Sequence, residues 1–130
     1  MKYLIVDNAQ AVRMVLARHI LEHEHVAEIK EAESGKEALA LISTWRPNVI
    51  FTGMGLANGE KGLPFVDAVL RRDPTQTIIL CTSMPLAHPD VAEALSLGAF
   101  AHMPKPVRAD AVHHVLNDFA MERGGLRRVK

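Results

Sequence analysis

The sequence predicts an α/β domain: a doubly wound, five-stranded parallel sheet with helices on both faces. Three observations predict it. Short, β-prone apolar runs alternate five times with segments of helical period, the pattern of βα units around a parallel sheet. The run Ile78-Ile79-Leu80-Cys81 is apolar throughout, as a strand covered on both faces requires. Residues able to do chemistry collect just past the ends of the runs, where open parallel sheets place their sites.

The first strand is expected from Lys2 to Val6, and the helix after it carries Val12, Val15, Leu16 and Ile20 on one face. His25 to Ala32 reads as strand two. Its charges at Glu28, Lys30 and Glu31 suit a solvent-exposed edge. Ser34 followed by Glu37 is a capping box that starts helix two, with Ala38, Leu39, Leu41 and Ile42 as its buried stripe until Pro47. Strand three, Val49 to Thr52, runs into a loop holding Gly53, Gly55, Gly59 and Gly62, half of the eight glycines, and so expected to approach a ligand or to twist freely. Pro64 suits a helical first turn, and Phe65, Val66, Val69 and Leu70 follow until Asp73-Pro74. Strand four is Thr77 to Cys81; Pro89 opens the fourth helix, with Val91, Ala94 and Leu95 inward and Gly98 past its end. Ala99 to His102 forms a short fifth strand. The last helix places Val112, Val115, Leu116 and Phe119 in register before Gly124-Gly125.

Length and composition fit one domain, since 130 residues with 48% hydrophobic and 23% charged content support a core. Lys+Arg and Asp+Glu number 15 each, so the field that drives direct nucleic-acid binding is missing. No apolar stretch approaches the ~20 residues of a membrane span, and a charge comes too early for a signal peptide. A cytoplasmic protein without membrane attachment is expected. The single cysteine, Cys81, reads as a buried thiol.

The residues at the strand ends form one constellation. Asp7 and Asn8 end strand one, Gly53 ends strand three, Thr82 and Ser83 end strand four, and Lys105 follows strand five. Singly each has a plain structural role: Asn8 as a helix cap, Thr82 as a loop tie, Lys105 as a surface cation. Jointly they place acid, hydroxyl and ammonium in one crevice. Two other signals carry less. His19 and His23 lie four apart on one helical face but lack a further metal ligand, so a solvated helix end is expected. His113 and His114 read as surface residues. The glycine loop breaks the P-loop pattern at Gly59-Glu60-Lys61.

Leu4-Ile5-Val6-Asp7-Asn8, the entry Glu33-Ser34-Gly35-Lys36-Glu37-Ala38-Leu39, Leu80-Cys81-Thr82-Ser83 and Gly98-Ala99 with Lys105-Pro106 together resemble the receiver domain of two-component response regulators. The resemblance covers Tyr3 to about Phe119. It implies a flavodoxin-like sheet of strand order 2-1-3-4-5 over a receiver-like domain at residues 1–123, with 124–130 a short basic tail or linker stub. It further implies a phosphoacceptor aspartate at the end of strand three, a divalent metal, usually Mg²⁺, held by acids and a carbonyl, and a lysine and hydroxyl that bind the phosphoryl oxygens.

Lys105 and Thr82 match that pattern. Gly53 does not, because it stands where the acceptor carboxylate belongs, and Asn8 puts an amide in place of an acid. With Asp7 as the only anion, Mg²⁺ binding is expected to be weak or absent, and no other cofactor is implied. Thr52 and Ser83 are poor substitutes: alternation points Thr52 to the opposite face, and a hydroxyl is a weak nucleophile without an adjacent base. Lys105, stripped of its usual partner, is expected to contact Asp7 directly or through water. The expected role is a non-enzymatic, protein-binding receiver whose partners are a histidine kinase or a downstream effector. The alternative is a working phosphoacceptor at a non-standard residue; an unrelated α/β enzyme would need a nucleophile and base that are not visible. By the resemblance, helix four, strand five and helix five would form the docking or homodimer surface, with His88, Asp90, Glu93, His102, Arg108 and His113 on it. His102 takes the place of an aromatic switch residue and is expected to be exposed.

Overall fold

The computed structural model describes residues 1–124. Its elements follow in the order β1 (Lys2–Val6), α1 (Gln10–His23), β2 (Glu28–Ala32), α2 (Gly35–Ile42), β3 (Val49–Thr52), a 3₁₀ turn (Ala57–Gly59), α3 (Gly62–Arg72), β4 (Thr77–Thr82), α4 (Pro89–Leu97), β5 (Ala101–Pro104) and α5 (Ala109–Gly124). The five strands pair in parallel in the order β2-β1-β3-β4-β5. The sheet is therefore a doubly wound, flavodoxin-like one, as the sequence predicts. Of the basic tail expected at 124–130, Gly124 closes α5 and the remainder lies outside the described residues.

Strand alternation divides the core into two layers. Leu4, Val6, Ile50, Ile78 and Leu80 face α2, α3 and α4, where Ala38, Phe65, Val66, Val91 and Ala94 meet them. Tyr3, Ile5, Val49, Phe51, Ile79 and Cys81 face α1 and α5, meeting Leu16, Ile20, Val112, Leu116 and Phe119. Helix two starts as its capping box requires, with Ser34 Oγ accepting from Glu37 N at 3.1 Å and Glu37 Oε1 accepting from Glu33 N at 2.7 Å.

The structure corrects several boundaries. Strand β2 begins at Glu28 instead of His25: its register pairs Glu28 with Lys2, the first residue of β1, so the stretch before it turns, with Ala27 N bonded to Glu24 O. Strand β5 starts two residues late because helix α4 is closed first. Gly98, at φ 124°, and Ala99 both donate back to Ala94 O or Leu95 O, and pairing opens only at Phe100 N with Ile78 O. Of the α2 stripe only Ala38 is fully buried; Leu39, Leu41 and Ile42 are half-buried at its margin. Trp45, which the pattern passes over, is buried with Lys30 Nζ 5.0 Å from its ring centre, and its Nε1 has no hydrogen-bond partner among the described residues.

Candidate functional site

Each strand end delivers one side chain or one space to the crevice. Asp7 follows β1 directly, and its backbone N–H extends the ladder to Ala32 O at 3.0 Å, which drives the carboxylate inward until it is 1% exposed. Its Oδ1 accepts from Ala9 N at 2.9 Å. Its Oδ2 accepts from Lys105 Nζ at 3.0 Å, so the expected contact forms directly. Lys105 is fixed from its own backbone, whose N–H bonds Thr82 O at 3.1 Å.

Gly53 is held by its N–H to Val6 O at 2.8 Å, placing it beside Asp7. A Cβ at position 53 would lie 2.7 Å from Asp7 Oδ2, below any ordinary contact. The carboxylate of Asp7 thus fills the volume that a side chain at 53 would enter. The charge there is +1 against −1, matched pairwise, and Lys105 keeps its side chain 27% exposed at the mouth.

Thr82 is buried, and its Oγ1 accepts from Met84 N at 3.1 Å, the loop tie foreseen as its plain role. Asn8 and Ser83 are exposed at the rim. Asn8 does not cap α1; Ala9 occupies that position without a side-chain bond. Thr52 turns to the opposite face as alternation requires, donating to Gly53 O at 2.9 Å. Gly55 is exposed, yet its loop is not free to twist: it bridges to Lys61, Leu56 N bonds Glu60 O at 2.8 Å, and Met54 and Leu56 are buried beneath it.

His102 departs from the exposed position expected of it. Its ring is half-buried, and Nε2 donates to Met84 O at 3.1 Å, so that nitrogen carries a proton. Both ends of the Met84 peptide are consequently tied, one to Thr82 and one to His102. His88 caps α4 through Nδ1, which accepts from Asp90 N at 3.1 Å; Asp90 is half-buried there, Glu93 is exposed, and Arg108 is exposed and paired with Asp110 at 3.2 Å. His113 does not belong with them. It leaves the α4 side and packs on α1, with Nε2 3.3 Å from His19 O and its ring 5.8 Å from that of His23. Nor is His19 a solvated helix end: it is buried, with Nδ1 2.8 Å from Glu22 Oε1. No cluster of three metal-binding side chains occurs among the described residues.

Two supports of the site escaped the sequence reading. Arg13, 8% exposed, donates through Nη1 to Asp7 O at 2.6 Å and through Nε to Glu31 Oε1 at 2.8 Å, bracing the end of β1 against β2. The available signal was a lone cation inside the apolar stripe of α1. Glu60 reaches from the glycine loop to accept from Gly35 N at 2.7 Å and so caps α2 from outside; no local pattern announces that.

Comparison with known proteins bears on the family and the fold. Residues 3–117 match the family described as response regulator receiver domain. The chemotaxis protein CheY of Listeria monocytogenes is 28% identical over 120 residues, covering 92% of this chain and 98% of that protein. Protein CcdB of Bacillus subtilis is 34% identical over 107 residues, covering 81% and 85%. The crystal structure of a CheY-like receiver domain protein from Methanospirillum hungatei superposes with a TM-score of 0.82 at 22% identity, over 95% of this chain and 98% of that one. A sheet of that order, an acid after β1, a hydroxyl at the end of β4 and a lysine after β5 thus accompany a match over nearly the whole chain, which belongs to the receiver domains of two-component response regulators.

Proposed function

We propose that this receiver is not phosphorylated at the usual position and signals through protein contacts, with a histidine kinase or a downstream effector as partner. One observation carries the reading: the acceptor's place is taken by Gly53, and the space beside it is filled by a carboxylate already bonded to Lys105. Phosphoryl transfer to a carboxylate needs a nucleophile in line with the donor and positive charge free to receive its oxygens. Here the nucleophile is missing and the ammonium is engaged.

The donors present fit Mg²⁺ poorly. A hard dication takes several oxygen ligands in octahedral array, and its affinity follows their charge. Asp7 is the one carboxylate, spent on Lys105 and Ala9, and Asn8 is neutral and exposed. The contact surface proposed is the α4, β5 and α5 face, bearing His88, Asp90, Glu93, His102 and Arg108; a homodimer through it is one way of using it.

Incubation with acetyl phosphate and millimolar Mg²⁺ tests the reading. The intact mass should stay unchanged and the melting temperature should not respond to the metal. A gain of one phosphoryl group, at Thr52 or anywhere in the crevice, would overturn it.

A further inference from the structure

At the far end of the sheet from Asp7, a cavity of ≈160 Å³ opens between α2 and α3. Leu39, Ile42 and Val69 line its apolar part, and Arg46, Arg72 and Asp73 stand among its polar lining. An engineered apolar cavity of about 150 Å³ takes up benzene, whereas sites for drug-sized ligands run to roughly 300–1,000 Å³. The hole is sized for one aliphatic or aromatic side chain.

Its charge is unbalanced. Asp73 spends its carboxylate on its own turn, Oδ1 accepting from Thr75 Oγ1 at 2.6 Å and from Thr75 N at 3.0 Å. Those bonds, with a smaller contribution from Arg46, hold it below the usual carboxylate range and so ionised. Arg71 is paired with Asp67 at 2.9 Å, but neither Arg46 nor Arg72 makes an ion pair within 4.0 Å among the described residues. Arg72 lies in the last turn of α3, where the helix dipole favours a cation. That accounts for its sign but not for two exposed guanidinium groups beside one hole of mixed polar and apolar lining.

We propose that this cavity docks an acidic, aliphatic segment of a partner protein: one leucine-like side chain enters between Leu39, Ile42 and Val69, and carboxylates on the flanking residues are bound by Arg46 and Arg72. Guanidinium forks hold carboxylates bidentately, which fixes the segment's direction as well as its charge. The chain's own end is a poor occupant on charge alone, since Leu126 is followed by Arg127 and Arg128. The site is independent of the Asp7 crevice, so it stands or falls separately from the phosphorylation reading.

The test is an amide-shift titration of the ¹⁵N-labelled full chain with acetyl-Glu-Leu-Glu-amide, beside acetyl-Lys-Leu-Lys-amide and acetyl-Glu-Gly-Glu-amide. The acidic leucyl peptide should shift Leu39, Ile42, Val69 and Gln76, saturably; the other two should not. Arg46→Glu with Arg72→Glu, both on exposed side chains, should weaken binding about tenfold or more, the worth of roughly 1.4 kcal/mol or more. The proposal is overturned by the absence of these shifts, by equal shifts with the basic peptide, or by indifference to the charge reversal. Shifts at the same residues on concentrating the chain without peptide would assign the cavity to a second copy and overturn it as well.

Discussion

Lys105 and Asp7 stabilise the crevice only as a pair. Asp7 is 1% exposed, so removing the ammonium leaves a nearly dry carboxylate with Ala9 N as its remaining bond. Breaking a fully buried pair costs roughly 3–5 kcal/mol; partial access of water to Lys105 reduces the figure, and Lys105→Met should cost about 2 kcal/mol in urea unfolding. Adding Asp7→Asn removes the stranded charge. The double variant should therefore be more stable than Lys105→Met alone, and a double variant as unstable as the sum of the singles would refute the charge argument. Cys81 is the other residue whose chemistry the fold decides. Burial pushes its thiol up to about 11, with Lys105 and Asp7 acting in opposite directions. A raised thiol pKa favours the folded state fully below the unfolded thiol's 9.0, and that contribution is lost as pH rises through about 11. At pH 8, iodoacetamide should label the native chain slowly and the urea-unfolded chain at once; prompt native labelling would contradict the burial.

At the scale of elements, the junction of β3 with α3 is the tightest. A Cβ on Gly62 would collide with Gly53 O and lie 2.8 Å from Met54 Cα, both backbone atoms that cannot swing aside, while its N–H bonds Met54 O at 2.8 Å. Gly62→Ala should destabilise by about 1–3 kcal/mol, the usual range for overpacking, read as a shift in urea midpoint with unchanged slope. Ser34→Ala, which removes only the cap of α2, should cost about 1 kcal/mol. These elements also show what the sequence discloses. The capping box, the apolar β4 and the helical stripes of α3 and α5 follow from local pattern and were legible. The start of β5 was not, because Gly98 and Ala99 are claimed by the end of α4 before the sheet can use them. The packing of His113 on His19 and His23 was hidden too, since it depends on how two helices 94 positions apart are rotated against each other.

For the whole molecule, the order of strands was enough to gather Asp7, Gly53 and Lys105, because every parallel strand of the sheet ends on the same side. Strand order does not say how a carboxylate settles beside a glycine. That depends on rotations of an ångström or two, fixed here by Ala9 N, Lys105 Nζ and the bracing of the β1 end by Arg13. The consequence is chemical. A Gly53→Asp substitution would set a second carboxylate against Asp7 Oδ2, so position 53 accepts an acid only if the Asp7 side chain swings aside and gives up its present bond to Lys105.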